Sequence, residues 1–152
     1  MRLLPLLPVP GASPRLLPMS DRAGLLETAG LRITKPRLQI ARLLFGDGRD
    51  RHVTAENVYA QLTRDGVHIA LATVYNTLGH FVNAGLLRQI SRPGSEASIF
   101  DTNTRPHFHF LNETTGELTD IPVEAVPIDV LPQPEDGSDI VAFDLVIRTR
   151  SK

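Results

Sequence analysis

The apolar pattern changes its period once along the chain, at Gly85, and that switch restricts the fold more than any other feature of the sequence. Before Gly85, apolar residues recur at helical spacing; after it, they run in short blocks and alternations typical of strands. Residues 22–29 read as a short helix stopped by Gly30. Thr34 is placed to cap a second helix, with Pro36 tolerated in its first turn and Leu38, Ala41, Leu44 and Phe45 forming its apolar stripe. Thr54 caps a third, with Glu56 favoured in the first turn and Ala55, Val58, Tyr59 and Leu62 on one face before Gly66. The fourth, residues 70–84, carries Leu71, Val74, Tyr75, Leu78, Phe81 and Val82 on its apolar face. Its other face is assigned Ala70, Thr73, Asn76, Thr77 and His80, where an ordinary solvated helix carries Lys and Glu. Small polar groups of this kind suit close approach to a second surface, and a DNA major groove admits a helix of this width.

Beyond Gly85, residues 86–90 and 97–100 flank the turn Arg92-Pro93-Gly94-Ser95 and predict a β-hairpin. Helices followed by a hairpin in this order predict a winged helix, whose last helix enters the major groove. Residues 107–111, a turn at Thr114-Thr115-Gly116, residues 117–121, a link broken by Pro122, Pro127, Pro132 and Pro134, and an alternating segment over 140–149 predict a small sheet. The expected class is therefore α+β. A winged-helix DNA-binding domain spans 21–103, and a small α/β dimerisation domain with a three-stranded sheet spans 104–152. A sheet of that size has open edges and little core, so pairing with a second copy is expected.

The net charge of −1 conceals two opposite halves. Ten basic and six acidic residues lie in 21–92, but four basic and eleven acidic residues lie in 93–152. Positive potential attracts a phosphate backbone and clustered carboxylates repel it, so contact with double-stranded DNA is assigned to the first half. The first 19 residues begin with a basic residue and contain several Leu, as a signal peptide does. Proline at 5, 8, 10, 14 and 18 nevertheless interrupts every apolar run, and a disordered extension over 1–20 is expected. A start at Met19 is a further expectation, which mass spectrometry of the native N-terminus checks. No apolar segment approaches the ~20 residues of a membrane span, and a soluble, cytoplasmic protein without membrane contact is expected.

The chain has no cysteine, which removes disulfides and thiolate zinc sites from consideration. A metal ion would have to be held by His, Asp or Glu. His107 and His109 are two apart on a predicted strand, so their rings project from one face while Phe108 and Phe110 project from the other. That spacing serves a metal pair, a haem pair or an ordinary half-buried pair equally well. Asp101, at the end of the hairpin, and His52, in the loop before the third helix, are further candidates, and imidazole with carboxylate suits Fe, Mn or Zn. No nucleophile elbow, phosphate loop or dinucleotide fingerprint is present, so an enzyme is not expected. The rival readings are a winged-helix protein interaction module and a hydrolytic metalloenzyme.

Four ordered blocks carry a family resemblance: residues 29–37 (AGLRITKPR), 52–59 (HVTAENVY), 71–78 (LATVYNTL) and 81–87 (FVNAGLL). Together they resemble the ferric uptake regulator family over about residues 23–150. Residues 100–104, 117–122 and 147–152 and the missing cysteine are most similar to its iron response regulator (Irr) branch. The resemblance implies a homodimeric transcription factor, mainly a repressor, of iron and haem metabolism genes, responding to a divalent metal or to haem. It implies metal ligands at His52, Asp101, His107 and His109, a minor-groove contact from Arg32, and base or phosphate contacts from Thr73, Tyr75 and Asn76. The sequence departs from the Irr pattern at Phe108, where that branch has the middle of three histidines. Without haem sensing, the same resemblance implies a Zn- or Mn-responsive repressor.

Overall fold

The computed structural model describes residues 22–91, 97–127, 130–132, 134–140 and 143–151. The chain divides into two compact units that meet in sequence between Thr104 and Arg105.

In the first unit, the elements run α1 (Arg22–Thr28), α2 (Lys35–Phe45), β1 (His52–Val53), α3 (Ala55–Arg64), α4 (Leu71–Asn83), β2 (Arg88–Ile90) and β3 (Ile99–Asp101). Local chemistry sets the helix boundaries. Thr34 Oγ1 accepts from the Arg37 N–H at 3.4 Å, and Pro36 occupies the first turn of α2, where its missing N–H leaves no bond unmade. Thr54 and Asn57 close a reciprocal capping box on α3, the Asn57 N–H donating to Thr54 Oγ1 at 3.2 Å and the Thr54 N–H to Asn57 Oδ1 at 3.3 Å. After α4 the chain turns through Gly85 at φ +74°, a conformation that a side chain disfavours, and the hairpin follows.

The core lies between the helices. Leu26, Ile40, Ala41, Leu44, Val74, Leu78 and Phe81 are wholly buried, and the Phe45 and Phe81 rings pack at 6.2 Å. Phe100 of β3 joins the same cluster, so the hairpin is fastened to the helices by apolar burial. Strand order is β1-β3-β2, all antiparallel. β1 corrects the expectation that His52 lies in a loop. Two residues are too few to show a strand period, and the strand exists because β3 pairs with it. The hairpin turn at 92–95 lies outside the described residues.

In the second unit, β4 (His107–Asn112), β5 (Leu118–Pro122), a 3-10 turn (Val123–Ala125) and β6 (Val146–Thr149) follow. The sheet order is β5-β4-β6, with β5 antiparallel and β6 parallel to β4. Three strands and an α+β class agree with the sequence reading, but the last strand starts at Val146 rather than at residue 140. Ile140 and Phe143 precede the strand and are exposed, and residues 146–149 are the ones in register with β4. Phe108, Leu111, Leu118 and Ile121 are buried, and Phe108 packs against Phe143 at 5.0 Å. No helix of the described residues is long and apolar enough to cross a membrane.

Candidate metal centre and nucleic-acid interface

In the first unit, strand pairing sets His52 opposite Asp101, with Arg88 of β2 opposite the same aspartate on its other side. His52 Nε2 lies 3.6 Å from Asp101 Oδ2. Asp101 is wholly buried, and its other oxygen accepts from the Asn103 N–H at 2.7 Å. A buried carboxylate is tolerated only with such partners. Arg51 and Thr102 fasten the pairing from one residue further out, through the Thr102 N–H to the Arg51 carbonyl at 3.1 Å and the Arg51 N–H to Thr102 Oγ1 at 2.8 Å.

In the second unit, His107 and His109 point the same way from β4, and both are buried. Their Nε2 atoms are 2.9 Å apart. Asp120 Oδ1 lies 3.6 Å from His107 Nε2 and 3.8 Å from His109 Nε2. His107 Nδ1 is 2.7 Å from the Arg105 carbonyl oxygen. A carbonyl can only accept, so Nδ1 carries a proton, and in the neutral ring the lone pair is then on Nε2, the atom nearest His109 and Asp120. The donor set fits a metal ion. Two imidazole nitrogens on neighbouring positions of one ion, each about 2.1 Å from it, stand roughly 3.0 to 3.4 Å apart, close to the observed separation. The carbonyl behind His107 supplies the outer hydrogen bond that ligating histidines usually make.

Asp120 was missed by the sequence reading. Its signal was the hairpin itself: counting back from the Thr114-Thr115-Gly116 turn pairs Leu111 with Leu118 and then His109 with Asp120.

On α4, Tyr75 and Asn76 are exposed and Thr73 is half-buried. Thr77 corrects the assignment of the polar face, because it is buried with Val74, Leu78 and Phe81. Arg32 is exposed in the segment between α1 and α2, and its carbonyl accepts from Arg37 Nη1 at 2.8 Å. Arg37 Nη2 is 3.0 Å from His80 Nδ1, so one guanidinium links the Arg32 segment to α4. The Tyr75 hydroxyl donates to the Glu56 carboxylate of α3. That bond is the main cause that holds the Glu56 carboxyl below its ordinary range and the Tyr75 phenol above its own.

A winged helix followed by a small mixed sheet with paired buried histidines defines a class of two-unit proteins. The chain belongs to the ferric uptake regulator family, whose profile it matches over residues 28–131. It is 37% identical over 95 residues to the peroxide-responsive repressor PerR of Staphylococcus aureus, a match covering 62% of this chain and 62% of that protein. The match thus spans less than two thirds of that relative's length. Among solved structures it is similar to the Pseudomonas aeruginosa ferric uptake regulator with manganese, at 31% identity and a TM-score of 0.67, covering 87% of this chain and 98% of that one. The Vibrio cholerae ferric uptake regulator gives 27% identity and a TM-score of 0.70, covering 86% and 100%.

Proposed function

We propose that the chain is a metal-responsive, DNA-binding transcriptional repressor acting as a homodimer in the cytoplasm. The observation that carries this reading is the convergence of His107 Nε2, His109 Nε2 and Asp120 Oδ1 in a chain of this family. His52 and Asp101 are proposed to serve the same ion, which would be Fe, Mn or Zn; nitrogen and oxygen donors without thiolate suit all three. When bound, the ion would supply a fixed positive charge among these side chains. Arg32, Thr73, Tyr75 and Asn76 are the proposed DNA contacts, with α4 in the major groove. Phe110 and Ile147 are paired neighbours on β4 and β6, 40% and 39% exposed, and together form an apolar strip suited to burial against a second copy.

The resemblance to the Irr branch supports iron and haem metabolism genes as targets and haem as a ligand. The 2.9 Å spacing favours a small ion over haem at the histidine pair, since axial ligands of one haem iron stand on opposite sides of it. The 37% identity to a peroxide-responsive repressor favours a second reading, in which oxidation at an iron-loaded site ends DNA binding.

The test is a titration of the full chain with Mn(II), Fe(II), Zn(II) and haem, each followed by a DNA shift assay at fixed salt and, for the iron form, repeated after hydrogen peroxide. His107→Ala with His109→Ala should abolish the metal response. A double variant that keeps every ligand response would remove the proposed site.

A further inference from the structure

Tyr75 is 42% exposed on α4, yet its hydroxyl is not left to solvent, because Glu56 of α3 accepts its proton. The backbone is held at both ends of that bond. Glu56 lies inside the Thr54–Asn57 capping box, and Tyr75 follows Val74, which is wholly buried. Helices α3 and α4 share one apolar cluster through Val58, Leu62, Val74 and Leu78, so the backbones that carry the carboxylate and the phenol are held side by side.

A phenol has one proton to give and lone pairs to accept with. With the proton committed to Glu56, the face that Tyr75 presents outward can only accept, beside an apolar ring. In the major groove, adenine and cytosine present amino donors, guanine presents acceptors, and thymine presents an acceptor and a methyl group. We infer that Glu56 is a positioning and specificity-determining residue: by taking the only proton of Tyr75 it makes that side chain an acceptor-only reader of bases. Tyr75 is then directed to the amino group of adenine or cytosine and to the thymine methyl, and away from guanine. This rests on α4 being the DNA-facing helix proposed above.

The carboxyl held low and the phenol held high mean that an ionised Glu56 and a neutral Tyr75 are the pair present near neutrality. A carboxylate near the phosphate backbone weakens binding to every sequence alike. Its contribution is to discrimination, where an unfavourable element against wrong partners is an established device.

The chain has two tyrosines and no tryptophan, so in a Tyr59→Phe background Tyr75 is the sole phenol, and its ionisation can be followed by ultraviolet absorbance. It should ionise at higher pH than a free phenol. Glu56→Ala should return it to the ordinary range, and Glu56→Gln, which keeps an acceptor without the charge, should fall between.

The second arm is selection of binding sites from a randomised duplex DNA pool by the full chain with Mn(II). Wild type and Glu56→Gln should enrich the same bases. Glu56→Ala should lose discrimination about fivefold at one position per half-site, the ratio that one net hydrogen bond supplies. Glu56→Ala with Tyr75→Phe should match Tyr75→Phe alone. The inference is overturned if Glu56→Ala enriches the wild-type bases at every position, if the two substitutions act additively, or if the wild-type phenol ionises in the ordinary range. A wild type that enriches no sequence removes the DNA reading and this inference together, an outcome distinct from the others because they require an intact wild-type selection.

Discussion

The two units bury different things. Among its described residues the first holds an apolar cluster of fifteen buried side chains from four helices, the turn after α4 and β3, closed by capped helix ends. Among the described residues of the second, the buried apolar side chains are Phe108, Leu111, Leu118 and Ile121, and the same small sheet also buries two histidines while leaving Phe110 and Ile147 exposed. Apolar area removed from water is the dominant favourable term in folding. The first unit therefore has the larger apolar contribution, and on the function proposed above the second would be supplemented by an ion at its imidazoles and a second copy on its outer strip.

The largest effect is expected on the apolar side. Phe81→Ala should cost roughly 3–5 kcal/mol, because the ring is wholly buried and packs against Phe45. Urea denaturation followed by circular dichroism reads the loss, which should be the same in Mn(II) and in chelator. A loss that vanished in one of the two conditions would mean that the helices also depend on the ion.

Metal removal probes the other side. In chelator, amide exchange should accelerate in β4 and β5 while α2, α3 and α4 keep their protection. At an ion concentration about a hundred times its dissociation constant, the lost stabilisation is about 2.7 kcal/mol. Equal loss of protection in helices and strands would erase the distinction between the units. Asp120→Ala should give a smaller version of the same change, since it removes one donor and leaves the histidine pair.

Legibility in the sequence follows the same divide. The caps at Thr34 and Thr54 and the stripes of α2 to α4 were readable because their causes lie within a turn or two of the residue concerned. Thr77 was misassigned by its chemistry, although its position, three residues after Val74 and four before Phe81, already put it on the apolar face. What was not readable depends on pairing across distance. The two-residue strand β1 exists because Asp101 lies opposite His52 across the sheet, and β6 begins where β4 supplies a neighbour. Asp120 stood between these cases. Its partner lies across a short hairpin whose register the Thr114-Thr115-Gly116 turn fixes, and the register had to be counted to find it.

The smallest effect separates the first unit's polar surface from its core. Glu56 and Tyr75 are exposed, so solvent screens their interaction and its contribution is slight beside that of Phe81. Its pH dependence is nonetheless distinctive. The Tyr75 hydrogen bond lowers the Glu56 carboxyl from its ordinary 4.5, so this part of the stability is present above that value and is lost as pH falls through the lowered one. The same bond raises the Tyr75 phenol from its ordinary 10.0, so the stability is complete below that value and is lost as pH rises through the raised one. The difference in denaturation midpoint between wild type and Tyr75→Phe should therefore be level from about pH 6 to about pH 9 and shrink on both sides. Taking the difference cancels other titrating groups, such as Asp47, whose carboxyl is lowered first by the Arg49 N–H. A difference that stayed level into acid would mean that the phenol donates to something other than a carboxylate, and α4 would then be held to α3 by its apolar stripe alone.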